Sequence, residues 1–439
     1  MADAAMEGRT TGIGAAVRAP NHVRAVLATS FGNLVEWYDV YAYTAFALYF
    51  AGSFFPKGDP VVQQLSAATL FAVAFLMRPI GSVIFGYLAD RYGRRSSLTV
   101  SILMMCFGSL LIAVAPTYGS IGIWATVILS AARIVQGLSQ GGEYGTSVTY
   151  LSEISPPQHR GFYSGVWYVT LIGGQLCAVL LLFILQKLFL TPDQLKAWGW
   201  RIPFVVGALL SLYGFRMRAS LDESEKFVAA SRVRPPFGEL LSGNWRNMLV
   251  VIGITVGGTS AFYTYTTYMQ KYLKLSVGLT DDQTTAVTLA SLVFAAAIQP
   301  LYGALSDRIG RKALLVGFGV LGTLGTVPIL TAIRATHSPY VALLLICAAW
   351  AIVSGYTSVT AIVKAELFPT AIRALGVGLP YAFTAAIFGG SVDSVALQFK
   401  DSGNESGFFW YATALIAVSL VVYLWLPDTR KNSPLDAVA

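Results

Sequence analysis

Apolar side chains fall in long runs along this chain, and short polar breaks separate the runs. Each run is long enough to cross a bilayer, which takes about 20 residues of α-helix. The pattern predicts an all-α membrane protein with twelve transmembrane helices. Their expected bounds are 24–50, 64–89, 96–115, 121–153, 161–187, 199–218, 247–272, 283–306, 313–333, 339–367, 374–398 and 407–427.

Composition supports this interpretation, because 55% of the 439 residues are hydrophobic and only 12% are charged. Soluble domains carry about 25% charged residues. The net charge is +8, but the Lys and Arg residues concentrate in the loops of one side. That asymmetry predicts that both termini are cytoplasmic, and it argues against nucleic acid as a partner. The three cysteines lie singly, which excludes a disulfide framework or zinc site of familiar spacing.

The longest polar stretch divides the helices six and six. We therefore expect an N-terminal six-helix bundle over 1–220, a cytoplasmic linker with a short surface helix over 221–246, and a C-terminal six-helix bundle over 247–439. The loops repeat between the halves: GYLADRYGRR recurs as GALSDRIGRK, and EISPPQHRG recurs as ELFPTAIRA. Parallel repeats of this kind predict a carrier whose substrate site lies between the halves, near the midplane of the membrane.

The loop GYLADRYGRR resembles the signature loop of the major facilitator superfamily. Six further stretches resemble the metabolite:proton symporter family within it: FGNLVEWYD, FLMRPIG, ARIVQGLSQGGEYGTS, WGWRIPF, LDES and YTTYMQKYL. The resemblance implies the major facilitator fold, with two pseudo-symmetric bundles. It also implies uptake of a small carboxylate in symport with protons by alternating access, with α-ketoglutarate as the leading candidate substrate.

Two arginines lie inside the predicted spans, where charged side chains are costly and usually functional. Arg78 is in the middle of span 2, and Arg133 is on span 4. The planar fork of arginine matches a carboxylate in two hydrogen bonds, so the pair predicts a site for a short dicarboxylate. One alternative is that Arg78 forms a permanent ion pair with Glu36 or Asp39 that only fixes helix packing. Another is that Arg133, which is nearer the outer end, acts as a gate.

Three further residues are expected to contact the substrate: Tyr263 on span 7, Gln175 on span 5 and Lys364 on span 10. Tyrosine hydroxyls and amides can line a polar cavity, and the lysine adds a cation. Tyr263 could instead belong to an interfacial aromatic belt. Gln175 could merely bond across helices, and Lys364 could snorkel towards the cytoplasmic surface.

Three interior acids are candidates for carrying the coupled proton: Glu36, Asp39 and Glu143. A carboxyl group held away from water takes up a proton more readily than one in water. Glu36 and Asp39 are three residues apart, which places them on one helix face. The polar residues of span 4 form a single stripe at helical spacing: Arg133, Gln136, Gln140 and Glu143.

The resemblance also assigns a gating role to the repeated loops. In the superfamily, an Asp and Arg residues of this loop clamp the halves together on the cytoplasmic side when the carrier faces outward. The residues expected to do so here are Asp90, Arg94 and Glu153 in the first half, and Asp307, Arg311 and Glu366 in the second. The alternative is that these charges only set the topology.

Other function classes fit the sequence less well. The chain has no GxxxxGK[ST] loop, so ATP is not expected to be the energy source. We expect no catalytic residues, no metal ion and no cofactor. The expected partners are a carboxylate, protons and the lipid bilayer, for a monomer in the bacterial inner membrane. Citrate, C4 dicarboxylates, shikimate or an osmolyte remain alternative substrates, and a nutrient sensor or a channel remains an alternative class.

Overall fold

The computed structural model describes residues 22–56, 60–219 and 237–430. Across those residues the chain forms twelve helical rods of membrane length. The first six are α1 (His22–Phe54), α2 (Pro60–Tyr92), α3 (Arg94–Val114), α4 (Ile123–Ile154), α5 (Arg160–Ile184) and α6 (Ile202–Ala219). The last six are α7 (Phe237–Tyr263), α8 (Asp281–Ile309), α9 (Arg311–Ala335), α10 (Pro339–Ala365), α11 (Arg373–Thr384) and α12 (Glu405–Trp425).

Ten of the described rods are long and apolar enough to span a membrane. The two outside that set are α1, which carries Glu36 and Asp39, and α4, which carries Arg133 and Glu143. Their polarity comes from interior side chains, because all four residues are buried. The chain is therefore a multi-pass membrane protein in which two helices carry charged side chains that are buried in the protein interior.

Helix α7 differs most from the sequence prediction. It begins at Phe237, so the last ten residues of the stretch expected to be a linker are helical. The short surface helix predicted in that linker falls largely on residues 221–236, outside the described residues. The rod continues beyond Tyr263 through π-helical turns at Thr264–Tyr268 and Leu273–Val277. Helix α11 likewise passes through a π-helical turn at Ala385–Gly389 and continues as Val392–Asp401.

The two sets of six helices meet along two crossed pairs: α2 packs on α11, and α5 packs on α8. Glycines permit these contacts. A Cβ atom on Gly86 of α2 would lie 2.9 Å from the Cα of Leu375 on α11. A Cβ atom on Gly303 of α8 would lie 2.3 Å from the carbonyl oxygen of Gly161 on α5. Any side chain at these positions would therefore push the two halves apart.

Candidate functional site

A small cavity lies between the two halves, with walls from α1, α2, α4 and α11. It encloses about 10 Å³, which is roughly the space that one water molecule needs. The halves are thus closed around it. Its lining residues are Glu36, Trp37, Arg78, Gln140, Gly141, Tyr144, Tyr381 and Ala382.

Arg78 provides the cationic wall of this cavity, and only 3% of its surface is exposed. Its Nε and Nη2 atoms both donate to Oε1 of Gln140, at 3.2 and 2.9 Å. Its guanidinium lies 3.7 Å from the ring centroid of Phe75 and 5.5 Å from that of Trp37. The aromatic faces stabilise the cation without neutralising it. An anion entering the cavity would therefore meet a guanidinium whose hydrogen bonds go to an amide, Gln140, and not to a carboxylate.

Lys364 provides a second buried cation, from the opposite half. It is fully buried, so the snorkelling alternative does not describe its position. Its Nζ donates to the hydroxyl of Tyr144 at 3.2 Å and lies 4.5 Å from the ring centroid of Tyr381. The rings of Tyr144 and Tyr381 stack across the boundary between the halves, 3.4 Å apart. These two rings line the cavity that Arg78 also lines, so Lys364 contacts the cavity wall through Tyr144 and Tyr381.

Arg133 does not line the cavity; it lies inside the first half, in a network with Asp39. Its Nη1 donates to Oε1 of Gln136 at 2.7 Å, and Nε2 of Gln136 donates to Oδ2 of Asp39 at 2.5 Å. The hydroxyl of Ser109 donates to the other oxygen of Asp39 at 2.5 Å. The guanidinium packs over the ring of Tyr43, at 4.1 Å. The amide thus links the opposite charges of Arg133 and Asp39 within one bundle.

Glu143 is also held inside the first half, by a residue that sequence reasoning missed. Arg218, near the end of α6, forms an ion pair with both oxygens of Glu143. The hydroxyls of Ser101 and Ser147 donate to the same carboxylate, each at 2.9 Å. Glu143 thus accepts four hydrogen bonds, all from residues of the first half.

Glu36 has the opposite surroundings. It lines the cavity and is 3% exposed. Its Oε2 accepts no hydrogen bond from any described residue. It interacts electrostatically with Arg78 and, through space, with the Glu143–Arg218 pair. Of the three candidate acids, Glu36 is the one that faces the space between the halves.

Tyr263 and Gln175 lie near the boundary between the halves. The ring of Tyr263 packs edge-on to Phe75, with centroids 6.1 Å apart, and Tyr263 also interacts electrostatically with Arg78. Tyr263 is buried, which does not fit an interfacial belt. Gln175 on α5 donates to the carbonyl oxygen of Thr266 on α7 at 3.3 Å, so it bonds across the two halves.

On the side where the signature loops lie, Asp90 joins the two halves. It caps the start of α11, where its carboxylate accepts the backbone N–H groups of Ala374 at 3.3 Å and Leu375 at 3.1 Å. It also pairs with Arg94, at 2.8 Å. A carboxylate at a helix N-terminus is stabilised by the helix dipole as well as by the hydrogen bonds.

Glu153 is the second element of this junction. It pairs with Arg94 of its own half at 3.3 Å and with Arg373 of the other half at 2.8 Å. Arg94 also donates to the carbonyl oxygen of Thr370, across the boundary, at 2.7 Å. All three charged side chains are buried. Arg373 is the arginine of the repeated loop ELFPTAIRA, and its role emerges from this contact.

The second half repeats the arrangement at the start of α5. Asp307 accepts the backbone N–H groups of Gly161 at 2.8 Å and Phe162 at 2.9 Å. Arg311 lies 3.6 Å from Asp307 and 3.2 Å from Glu366. Each signature-loop aspartate thus caps a helix of the opposite half.

Glu366 lies just beyond the end of α10 and receives a hydrogen bond from the hydroxyl of Thr429, at 2.5 Å. Thr429 belongs to the segment after α12, which folds back over the second signature loop. Burial raises the pKa of Glu366, and the neighbouring Arg311 and the Thr429 hydrogen bond partly offset that effect.

The two bundles meet at a buried charged cavity, and a repeated junction closes it on one side. This arrangement defines a membrane carrier with two pseudo-symmetric halves. Residues 25–235 and 235–438 each match the family described as "Sugar (and other) transporter". The chain belongs to this transporter family, which confirms the resemblance seen in its motifs.

Similar proteins have been characterised or solved. The chain is 49% identical to the α-ketoglutarate permease of Escherichia coli (strain K12), over 93% of this chain and 94% of that protein. It is 30% identical to the citrate-proton symporter of Klebsiella pneumoniae, over 92% of each. The structure of the proton:xylose symporter XylE bound to 6-bromo-6-deoxy-D-glucose superimposes with a TM-score of 0.79 at 18% identity. That match covers 95% of this chain and 98% of XylE, so the fold is that of a major facilitator.

Proposed function

We propose that this protein imports α-ketoglutarate together with protons by alternating access. The observation that carries the proposal is a pair of buried cations at one cavity between the halves: Arg78 lines the cavity, and Lys364 donates to Tyr144, which also lines it. The 49% identity to an α-ketoglutarate permease supports the choice of substrate.

In the proposed site, one substrate carboxylate binds Arg78 and the other binds Lys364. Arg78 offers a planar fork, and Lys364 offers a point charge. The cavity holds about one water molecule, so the stacked rings of Tyr144 and Tyr381 must separate to admit a dicarboxylate. A bound substrate then replaces the ring stack as the link between the halves. Arg133 serves the Asp39 network in this scheme and acts on the site indirectly.

The proposed proton carrier is Glu36. It shares the cavity with Arg78 and has an oxygen with no described partner. Glu143 and Asp39 already accept several hydrogen bonds each. Neither of these two acids lines the cavity, which leaves Glu36 as the proposed carrier.

The paired junctions act as the proposed cytoplasmic gate. Asp90 with Glu153, and Asp307 with Glu366, bridge helix ends that part when the cavity opens inward. We further propose that the protein is a monomer in the inner membrane, with both termini cytoplasmic, as the distribution of Lys and Arg predicts.

Proteoliposomes with an imposed pH gradient, acid outside, test this function. Labelled α-ketoglutarate should accumulate against its own gradient, and a protonophore should abolish the accumulation. Equilibration without accumulation contradicts the coupling, and absence of uptake contradicts the substrate. The citrate-proton symporter relative makes citrate the second candidate, so unlabelled citrate and succinate belong in the competition series.

A further inference from the structure

Gln140 is held in an unusual way beside the proposed anion site. Two N–H groups of Arg78 converge on its single Oε1 atom, at 3.2 and 2.9 Å. A substrate carboxylate would use the same donors, because arginine binds carboxylates through paired N–H groups. The backbone makes the contact possible: a Cβ atom on Gly141 would lie only 2.0 Å from the carbonyl oxygen of Arg78. Helices α2 and α4 therefore touch at the point where Gln140 meets Arg78.

The orientation of this amide follows from its partner. Arginine has only donors, so the amide atom that faces Arg78 must be the oxygen. The Nε2 atom consequently points elsewhere, and it has no acceptor within the described residues. Gln140 is 2% exposed and lines the cavity. A buried N–H donor without an acceptor is costly, which makes this atom a candidate for contact with a ligand.

We propose that Gln140 is the specificity-determining residue that selects 2-oxo dicarboxylates over plain dicarboxylates. In the closed site its oxygen occupies the Arg78 fork. The incoming carboxylate displaces it, because a charged acceptor forms the stronger hydrogen bonds. The released amide then donates its N–H to the keto oxygen, which lies on the carbon next to that carboxylate. The inference rests on the proposed function, since it assumes that a carboxylate binds Arg78.

Glutarate provides the matched probe, because it has the same carbon chain and both carboxylates but lacks the keto oxygen. The readout is the ratio of uptake efficiencies for α-ketoglutarate and glutarate, measured by competition in the same proteoliposomes. This ratio does not depend on how much protein is active. A site built to hydrogen-bond a substrate group rejects the analogue that lacks it, so the wild type should prefer α-ketoglutarate by about tenfold or more.

The Gln140→Leu variant removes both amide functions at nearly constant volume. Its ratio should fall to within about threefold of unity, because a single neutral hydrogen bond accounts for roughly one decade of preference. Gln299→Leu is the matched control. Its amide is also buried, but it bonds Ser354 and Thr357 within the second half. That variant should keep the wild-type ratio even if less protein reaches the membrane.

A second variant covers the case in which Gln140→Leu fails to fold. Gln140→Glu keeps an acceptor for Arg78, but as a carboxylate it should not yield to the substrate. The apparent affinity for both dicarboxylates should fall about a hundredfold, since the two hydrogen bonds that Arg78 donates are each stronger by roughly a factor of ten when the acceptor is a carboxylate and not an amide. Unchanged affinity in Gln140→Glu, or an unchanged ratio in Gln140→Leu, would overturn the inference. Absence of α-ketoglutarate uptake by the wild type would instead refute the proposed function, and this inference with it.

Discussion

The Asp90→Asn substitution tests whether the junction between the halves holds the cytoplasmic side shut. Asp90 accepts two backbone N–H groups of α11 across the boundary, from Ala374 and Leu375. Its ion pair with Arg94 lies within one half. The pair therefore persists when the halves part, and it does not contribute to the free-energy difference between the closed and open states. A hydrogen bond to a charged acceptor is worth about 1 kcal/mol more than a neutral one. Two bonds weakened by that amount make a change of about 2 kcal/mol, or roughly 30-fold in the closed-to-open equilibrium.

Alkylation of a single cysteine measures that equilibrium. Leu375 is buried against Gly86 of the other half, so a Leu375→Cys variant becomes accessible only when the halves part. The three native cysteines are replaced by serine, and a membrane-impermeant maleimide is applied to inside-out vesicles. Asp90→Asn should raise the labelling rate about 30-fold, as the free-energy change above requires. Asp393→Asn, which removes the partner of Lys271 on α7, should leave it unchanged. A rise of less than about threefold for Asp90→Asn refutes the reasoning.

Four further predictions follow from the buried charges. Lys364→Gln should raise the KM for α-ketoglutarate about tenfold or more by replacing a charged donor with a neutral one. Lys364→Arg should recover part of the lost affinity, and a KM in Lys364→Gln equal to that of the wild type would exclude Lys364 from the site. Glu36→Gln should retain exchange of internal for external substrate but lose accumulation driven by a pH gradient, and retained accumulation would place the proton elsewhere. Glu143→Gln leaves Arg218 buried without its carboxylate, at a cost of about 3–5 kcal/mol, so thermal unfolding in detergent should shift clearly downward. The raised pKa of Glu366 means that its stabilising contribution is present below its ordinary value of 4.5 and lost as pH rises through the raised pKa; Glu366→Gln should flatten that part of the stability–pH curve.

The helix map follows from the sequence because hydropathy is a local property. A run of apolar residues must become a helix in a bilayer, whatever it packs against. The repeated loops likewise pointed to their own residues, since Asp90 and Asp307 occupy matching places in the two halves. The start of α7 at Phe237 was not predicted, because a helix that extends beyond the membrane is no longer marked by apolar residues.

The site was harder to predict, because its partners are distant in the chain. Lys364 and Tyr144 are 220 residues apart, and Tyr144 and Tyr381 look like ordinary apolar-run residues until the fold stacks them. Spacing placed Arg133 on the same stripe as Gln140, but the stripe cannot say which neighbour each side chain meets. The fold turns Arg133 towards Asp39 and Gln140 towards Arg78.

The proposed site predicts that one proton accompanies each substrate molecule. The Glu143–Arg218 pair and the Asp39–Arg133 network are each neutral, so they add no net charge. Glu36, Arg78 and Lys364 together carry +1 when all are ionised. A dicarboxylate brings this to −1, and one proton on Glu36 brings it to zero. Charge in a low-dielectric cavity is costly, so the site closes most readily when the dicarboxylate and the proton have both bound.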